Sequence, residues 1–168
     1  VLLKEGTDSI EDPDMRAMRA LVGKLAAVTG WGAQAQQKVV QKFAGVEVRT
    51  VRALTEAVLM GDLNGGLPTG SKFSKRTLVL LKEAAQELKD LGIAVARISA
   101  EKTGWSAEDQ EQVLRKFVII GLSTQEDVAK AVLEESLNDM LREADLQLFG
   151  KKSREALKCW AEKFGEEN

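Results

Sequence analysis

The side chains that carry most enzyme chemistry are scarce in this sequence. Its 168 residues include no histidine and a single cysteine, Cys159. Metal sites, haem ligation and catalytic triads that depend on histidine are therefore excluded unless a second chain supplies that residue. Cys159 falls in the apolar helical pattern of residues 156–160, which predicts a buried thiol; a redox role is the alternative. A lone cysteine can form no internal disulfide, which fits a reducing compartment.

Paired carboxylates such as Glu134-Glu135 and Glu166-Glu167 are the acidic candidates for catalysis. They fall on polar helix faces or at the end of the sequence, where nothing would raise a carboxyl pKa for acid or base catalysis. We therefore expect no catalytic set, no cofactor and no metal, and we interpret the protein as a non-enzyme.

Basic residues cluster at two predicted helix starts, and these clusters could bind an anion. The residues are Lys72, Lys75 and Arg76 in one cluster, and Lys151 and Lys152 in the other. Positive charge and the helix dipole would act together at such positions. A solvated surface is the alternative interpretation.

The elements that position these residues are predicted to be helices. Good helix formers dominate, only two prolines interrupt them, and 44% of the residues are hydrophobic against 30% charged. The sequence predicts an all-α fold of seven to eight helices. The net charge of −2 gives the molecule as a whole no attraction for nucleic acid or anionic membranes, so such binding would have to be local.

No apolar run reaches the roughly 18 residues that a membrane span needs, and the opening residues are too acidic for a signal peptide. We expect a soluble protein, with a reducing compartment such as the cytoplasm favoured. Because the sequence begins at Val1 rather than Met, a processed product or a fragment stays open, as does an organelle after removal of a targeting segment.

Apolar spacing and cap residues predict where the helices begin and end. Asp12-Pro13 and Ser106 read as helix starts, and Ser123 to Glu126 has capping-box spacing. The glycine-rich stretch 61–73 is the clearest loop. Helices are predicted over 13–28, 33–43, 47–60, 74–102, 106–119, 123–148 and 153–164, with the fourth either bent or divided at Gly92.

Residues 29–64 and 103–138 match without a gap, with 14 identities in 36 positions. Such fixed-period similarity predicts an internal duplication. We accordingly divide the chain into a first helical unit with its loop (1–73), a connecting helix or helix pair (74–102) and a second unit (103–168). The two units are expected to pack into one body, and a single domain overall is the alternative.

Aromatic residues at matching positions of the two copies are the candidate core anchors. Each tryptophan precedes a helix onto which its ring could fold, and each phenylalanine lies on the apolar face of that helix. The predicted anchors are Trp31, Phe43, Trp105, Phe117 and Trp160. Exposure of Trp31 and Trp105 as binding hot spots is the alternative.

Residues 37–56 resemble the helix-turn-helix element of repressor-type DNA-binding domains. Ala44, Gly45 and Val46 fill the places of the small residue, glycine and aliphatic residue that form the turn in that family. The resemblance covers no other part of the chain.

That resemblance implies a recognition helix from about Val48. Arg49, Thr50 and Arg52 would then face the major groove of duplex DNA, where arginine reaches guanine edges or phosphates.

Three functions follow from these features. The leading hypothesis is a non-catalytic helical protein-interaction or structural module, with another protein or a second copy of the chain as partner. The alternative is a DNA-binding regulator that uses the element at 37–56. The third hypothesis is a helical carrier of a small apolar ligand.

Overall fold

The structure, a computed structural model, describes residues 12–167, and within this range it is all-α without strands. The prediction of seven to eight helices is confirmed. The first eleven residues, over which we expected no signal peptide, lie outside the described residues. The helices are α1 (Pro13–Thr29), α2 (Ala33–Gly45), α3 (Val51–Leu59), α4 (Lys75–Ile98), α5 (Ala107–Ile119), α6 (Gln125–Leu133), α7 (Leu137–Glu143) and α8 (Lys151–Glu167).

Several helix ends lie where the local sequence predicts them. Asp12 caps α1 by accepting a hydrogen bond from the Asp14 backbone N–H at 2.9 Å, and α1 ends at Gly30, whose φ of 82° suits glycine. Ser106 and Asp109 form a reciprocal capping box at the start of α5. These ends depend only on residues within one helical turn.

The predicted start of α3 at residue 47 is wrong. Glu47 has a φ of 64°, which is incompatible with a right-handed helix at this residue. The Thr50 hydroxyl accepts a hydrogen bond from the Ala53 N–H at 3.0 Å. The helix therefore begins at Val51, and Thr50 serves as its cap.

The capping box predicted at Ser123 is also wrong, because Thr124 caps α6 instead by accepting from the Asp127 N–H at 3.0 Å. Ser123 is buried, and its hydroxyl accepts a hydrogen bond from Lys24 Nζ at 2.8 Å. The single helix predicted over 123–148 is in fact two, α6 and α7, separated at Glu135, which has a φ of 57°.

The long helix α4 runs through Gly92 without a break and continues into a π-helical turn, Ser99–Thr103. Leu81 and Leu88 on its first half belong to one apolar core, together with side chains of α1, α2 and α3. Leu91 and Val95 on its second half belong to another core, together with side chains of α5 to α8. Helix α5 also contributes to both, since its Val118 belongs to the first core and its Phe117 to the second.

An asparagine closes each core in the same way. Phe73 N–H donates to Asn64 Oδ1 at 2.8 Å, and Asn64 Nδ2 donates to the Phe73 carbonyl at 3.0 Å. In the second half, Phe149 N–H donates to Asn138 Oδ1 at 3.0 Å, and Asn138 Nδ2 donates back to the Phe149 carbonyl at 3.3 Å. Both asparagines therefore hold the segment before a long helix.

The phenylalanines held in this way meet a second aromatic ring and a lysine. Phe43 and Phe73 have ring centroids 5.6 Å apart, and the corresponding pair, Phe117 and Phe149, are 5.9 Å apart. Lys42 Nζ lies 4.8 Å from the centroid of the Phe73 ring, and Lys116 Nζ on α5 lies 4.8 Å from the centroid of the Phe149 ring. Burial lowers the pKa of that second lysine, Lys116.

Helix α1 joins the two halves by packing against α5. Lys24 Nζ donates to the Gly121 carbonyl at 3.0 Å and pairs with Asp127 Oδ2 at 3.0 Å. At the other end of α1, Arg115 Nη1 lies 3.1 Å from Asp14 Oδ1. None of the described helices combines the length and apolarity that crossing a membrane requires.

Replacing Asn138 with alanine should lower the free energy of unfolding by about 1–3 kcal/mol. The Phe149 N–H and carbonyl would then lose their partners in a partly buried position. Urea unfolding followed by circular dichroism measures this change. Gln34→Ala, on the exposed face of α2, is the control and should change stability by less than about 0.5 kcal/mol. Equal effects of the two substitutions would contradict the role assigned to Asn138.

Candidate functional site

The described residues form an apolar groove where the two halves of the chain meet. It lies between α3, α4 and α5 and has a volume of 470 Å³, within the range typical of binding sites. Its apolar lining comes from Leu59 and Met60 on or next to α3, Leu88, Gly92 and Val95 on α4, and Leu114 on α5. Because α3 belongs to the first half and α5 to the second, neither half alone makes this groove.

The floor of the groove contains a glycine that the backbone does not require. Gly92 lies inside α4, and its φ is outside the left-handed region. A Cβ added there would meet Leu114 Cδ2 at 3.8 Å, an ordinary van der Waals contact. Glycine inside a helix costs about 0.5–1 kcal/mol relative to alanine. The absent side chain leaves space beside Leu114 in the lining of the groove, at this cost in stability.

Met60, which follows α3, leaves a large apolar side chain in solvent at the edge of the groove. It is 73% exposed, the most exposed of the large hydrophobic residues described. Methionine is flexible and polarisable, and it is common on surfaces that adapt to a binding partner.

An ion pair crosses the groove at its rim. Arg52 Nη1 on α3 lies 2.9 Å from Glu111 Oε1 on α5, and Arg52 Nε lies 3.3 Å from Glu56 Oε1. The hydrogen bond to Glu111, followed by the one to Glu56, raises the pKa of Arg52. Since the Arg52 side chain is 70% exposed, solvent weakens these pairs. Lys89, on the same rim, has no ion pair within the described residues.

The residues singled out by the helix-turn-helix resemblance lie together at the start of α3. Arg49 Nε is 3.4 Å from Glu47 Oε2, and Arg52 pairs with the two glutamates of the rim. Thr50 caps the helix, and Val48, where the recognition helix was expected to begin, is buried. Each of the two arginines thus already has an acidic partner.

The predicted anion-binding lysines are placed differently in the two clusters. Lys72 Nζ donates to the Leu67 carbonyl at 3.0 Å and also to the Asn64 carbonyl, so it holds the loop before α4 together. Lys75 and Arg76 lie in the exposed first turn of α4.

Lys151 and Lys152, in the first turn of α8, line a shallow depression that also contains Lys102 and Glu155. The structure thus adds a third lysine to this predicted pair, together with a carboxylate that partly offsets its charge. Cys159, interpreted as a buried thiol, lines the same depression and is only partly buried.

The predicted core anchors occupy two kinds of position. Phe43 and Phe117 are fully buried, at 1% and 0% exposure. Trp31, Trp105 and Trp160 are partly buried and pack against the edges of the cores.

Sequence reasoning missed the groove itself. Leu59, Met60 and Leu114 read as ordinary members of apolar helical faces, and Gly92 was taken as a helix interruption. The one usable signal was the glycine itself, since α4 continues through it.

Comparison with protein-family models, with curated proteins and with solved structures gave no match. Within residues 12–167, no group of three or more acidic or cysteine side chains is placed to hold a metal ion.

Gly92→Ala should raise the free energy of unfolding by about 0.5–1 kcal/mol, because alanine favours the helix and its Cβ meets no close neighbour. Gly23→Ala in α1 should have a similar effect, since a Cβ there would lie 3.8 Å from Gln36 Oε1. Thermal unfolding of both variants measures the change. Destabilisation by Gly92→Ala alone would show that α4 needs its glycine for packing.

Proposed function

We propose that this protein is a non-catalytic interaction module, built from two copies of one helical unit, that binds another protein in the groove between α3, α4 and α5. The observation that carries this proposal is the apolar groove floored by Gly92 at the junction of the two cores. The sequence offers no catalytic set, so binding is the function for which its residues are suited.

Two features of the groove work against stability and favour binding. Gly92 weakens α4, and Met60 leaves apolar surface in water. Binding sites commonly keep residues that lower the stability of the free protein, because the same residues contribute to the affinity for a partner. A surface selected for stability alone would be expected to carry alanine at Gly92 and a polar side chain at Met60.

The recurring contacts support the two-copy part of the proposal. Thr50 and Thr124, 74 positions apart, both cap a nine-residue helix, and Asn64 and Asn138 make the same pair of backbone hydrogen bonds. In repeat proteins, neighbouring units pack side by side and their junctions provide binding surfaces. The groove lies at such a junction.

Replacing Gly92 with leucine should fill the groove and abolish capture of a native partner. The tagged protein is used to capture proteins from native extract, with Gly23→Leu in α1 as the matched control. We expect a stoichiometric partner with wild type and Gly23→Leu, and its loss with Gly92→Leu. Light scattering on the same samples tests whether the partner is a second copy of the chain.

Two surface variants distinguish loss of binding from misfolding of Gly92→Leu. Met60→Glu charges the edge of the groove, and Val28→Glu places the same charge on another exposed apolar residue, at the end of α1. Both side chains are mainly in solvent, so both variants should fold. An unchanged partner with both Gly92→Leu and Met60→Glu would refute the groove as the binding site.

Duplex DNA is the competing partner, because Arg49 and Arg52 keep side-chain exposures of 57% and 70% at the start of α3. Their glutamate partners reduce the charge available for phosphate, and Glu126 takes the place of Arg52 in the second copy. We therefore favour a protein partner.

DNA binding by the wild-type chain should be absent or insensitive to salt. Fluorescence anisotropy with labelled duplex DNA at low and moderate salt measures it, since phosphate contacts weaken steeply as salt rises. Arg49→Ala and Arg52→Ala should leave the signal unchanged. Salt-sensitive binding that either substitution weakens would support the regulator instead.

A further inference from the structure

We propose that one face of α8, together with the end of α4, binds a nucleoside triphosphate, with its base against Trp160 and its phosphates among three lysines. The lysines are Lys102, Lys151 and Lys152. This site lies apart from the groove between α3, α4 and α5 and shares none of its residues. It gives a ligand of defined chemistry to the lysines at the start of α8, which the sequence marks as a possible anion contact.

Two clefts adjoin along this face of α8. The first is the shallow depression at the start of α8 that contains the three lysines. The second lies between the rest of α8 and the π-helical turn at the end of α4, and it has a volume of 260 Å³. The two clefts share Lys102, Ala156 and Cys159. Their α8 residues recur at intervals of three and four from Lys152 to Glu167, which places them on one side of the helix. A single elongated ligand can therefore occupy both clefts.

An aromatic pair lines the second cleft. Trp160 and Phe164 stack with ring centroids 5.5 Å apart and an interplanar angle of 24°. Both side chains are only partly buried, and Ile98 lines the same cleft. Nucleobases stack on aromatic side chains largely independently of which base is present. This end of the site therefore suits the planar ring of a ligand.

The charges along this face are balanced at the aromatic end and positive at the other end. Apart from Lys102, which both clefts share, the aromatic end has two cations and two carboxylates, namely Arg97, Lys163, Glu101 and Glu167. The depression at the start of α8 has three lysines against one carboxylate, Glu155, and three positive charges less one negative leave +2. None of these side chains forms an ion pair within residues 12–167. Lysine ammonium groups commonly bind phosphate. The distribution suits a ligand with an uncharged ring at one end and several negative charges at the other.

The spacing along α8 matches such a ligand. Lys152 and Trp160 are eight residues apart, which is about 12 Å along the helix axis. An extended triphosphate that is joined through a ribose to a base spans a comparable distance. A nucleoside monophosphate stacked on Trp160 would leave its phosphate short of the lysines at the start of α8.

Under the two-copy organisation proposed above, the first half has no equivalent of this site. When α8 and α4 are aligned at the phenylalanine that precedes each helix, Trp160 takes the place of Ala84. Lys102 takes the place of Val28, 74 positions earlier. The π-helical turn also replaces a regular helix end, since α1 is α-helical as far as Thr29. π-Helical turns occur frequently at functional sites. The first half therefore provides matched control positions.

Isothermal titration calorimetry of the full chain with ATP, adenosine and inorganic tripolyphosphate tests the site. ATP should bind more tightly than either of the others, because it alone contacts both ends. Trp160→Ala should weaken ATP binding by at least about fivefold, the lower range for loss of a base stack. It should leave the affinity for tripolyphosphate unchanged. Trp160→Phe keeps an aromatic ring and should retain ATP binding.

The double variant Lys151→Gln/Lys152→Gln tests the other end. It should weaken the binding of ATP and of tripolyphosphate by about two- to fivefold per lysine, the range of an exposed charge pair. Adenosine binding should not change. Lys75→Gln/Arg76→Gln, the corresponding change at the start of α4, is the matched control and should bind ATP as wild type does. Gly92→Leu should also bind ATP as wild type does, since the groove is a separate site.

No ATP binding at millimolar concentration would overturn the proposal. Equal affinities for ATP and tripolyphosphate would also overturn it, because the rings would then contribute nothing. Equal losses in the α8 and α4 double variants would contradict the location of the site. Binding of a single-stranded oligonucleotide without binding of ATP would overturn the proposal and assign this face to nucleic acid. Because the two sites share no residue, each of these results leaves the protein partner of the groove unaffected.

Discussion

Helix α4 is shared by two apolar cores, and this sharing constrains the rest of the molecule. Leu88 faces the core formed with α1 to α3, and Leu91, one turn later, faces the core formed with α5 to α8. A helix is stiff over this distance, so the two cores cannot move independently without breaking α4 or exposing leucines. The relative placement of α3 and α5, and hence the groove between them, follows from the helix on which both pack.

The second link between the halves is the contact of α1 with α5, which combines apolar packing, with Val118 in the first core, and polar contacts. Lys24 on α1 reaches the turn before α6, and Asp14 pairs with Arg115 on α5. Ion pairs that solvent reaches contribute little each, but these two lie at opposite ends of α1 and require a defined position of that helix on α5. Apolar packing on α4 and between α1 and α5 thus joins the two halves, and the polar contacts of α1 add directional contacts at both ends of that helix.

The groove combines features that oppose stability within an otherwise well-packed structure. Phe43 and Phe117 are fully buried and each core is closed by an asparagine, yet the junction retains a helix-interior glycine and an exposed methionine. Local departures from optimal stability tend to coincide with functional surfaces. A helix-interior glycine and an exposed apolar side chain also occur away from the junction, at Gly23 and Val28, so the proposal of binding rests on the groove that Gly92 and Met60 line.

The sequence by itself determined the helical class and most of the helix ends, and it predicted that residues 74 positions apart correspond. These features depend on neighbours within about one turn, as in the caps at Asp12 and Ser106. Only the tertiary structure decided that Thr124 rather than Ser123 caps α6, because the competing partner of Ser123 is Lys24, 99 positions away. It also showed that Gly92, which the sequence suggested as a helix interruption, lies within α4 and lines a groove. A local sequence pattern cannot predict which helices pack on either side of a residue.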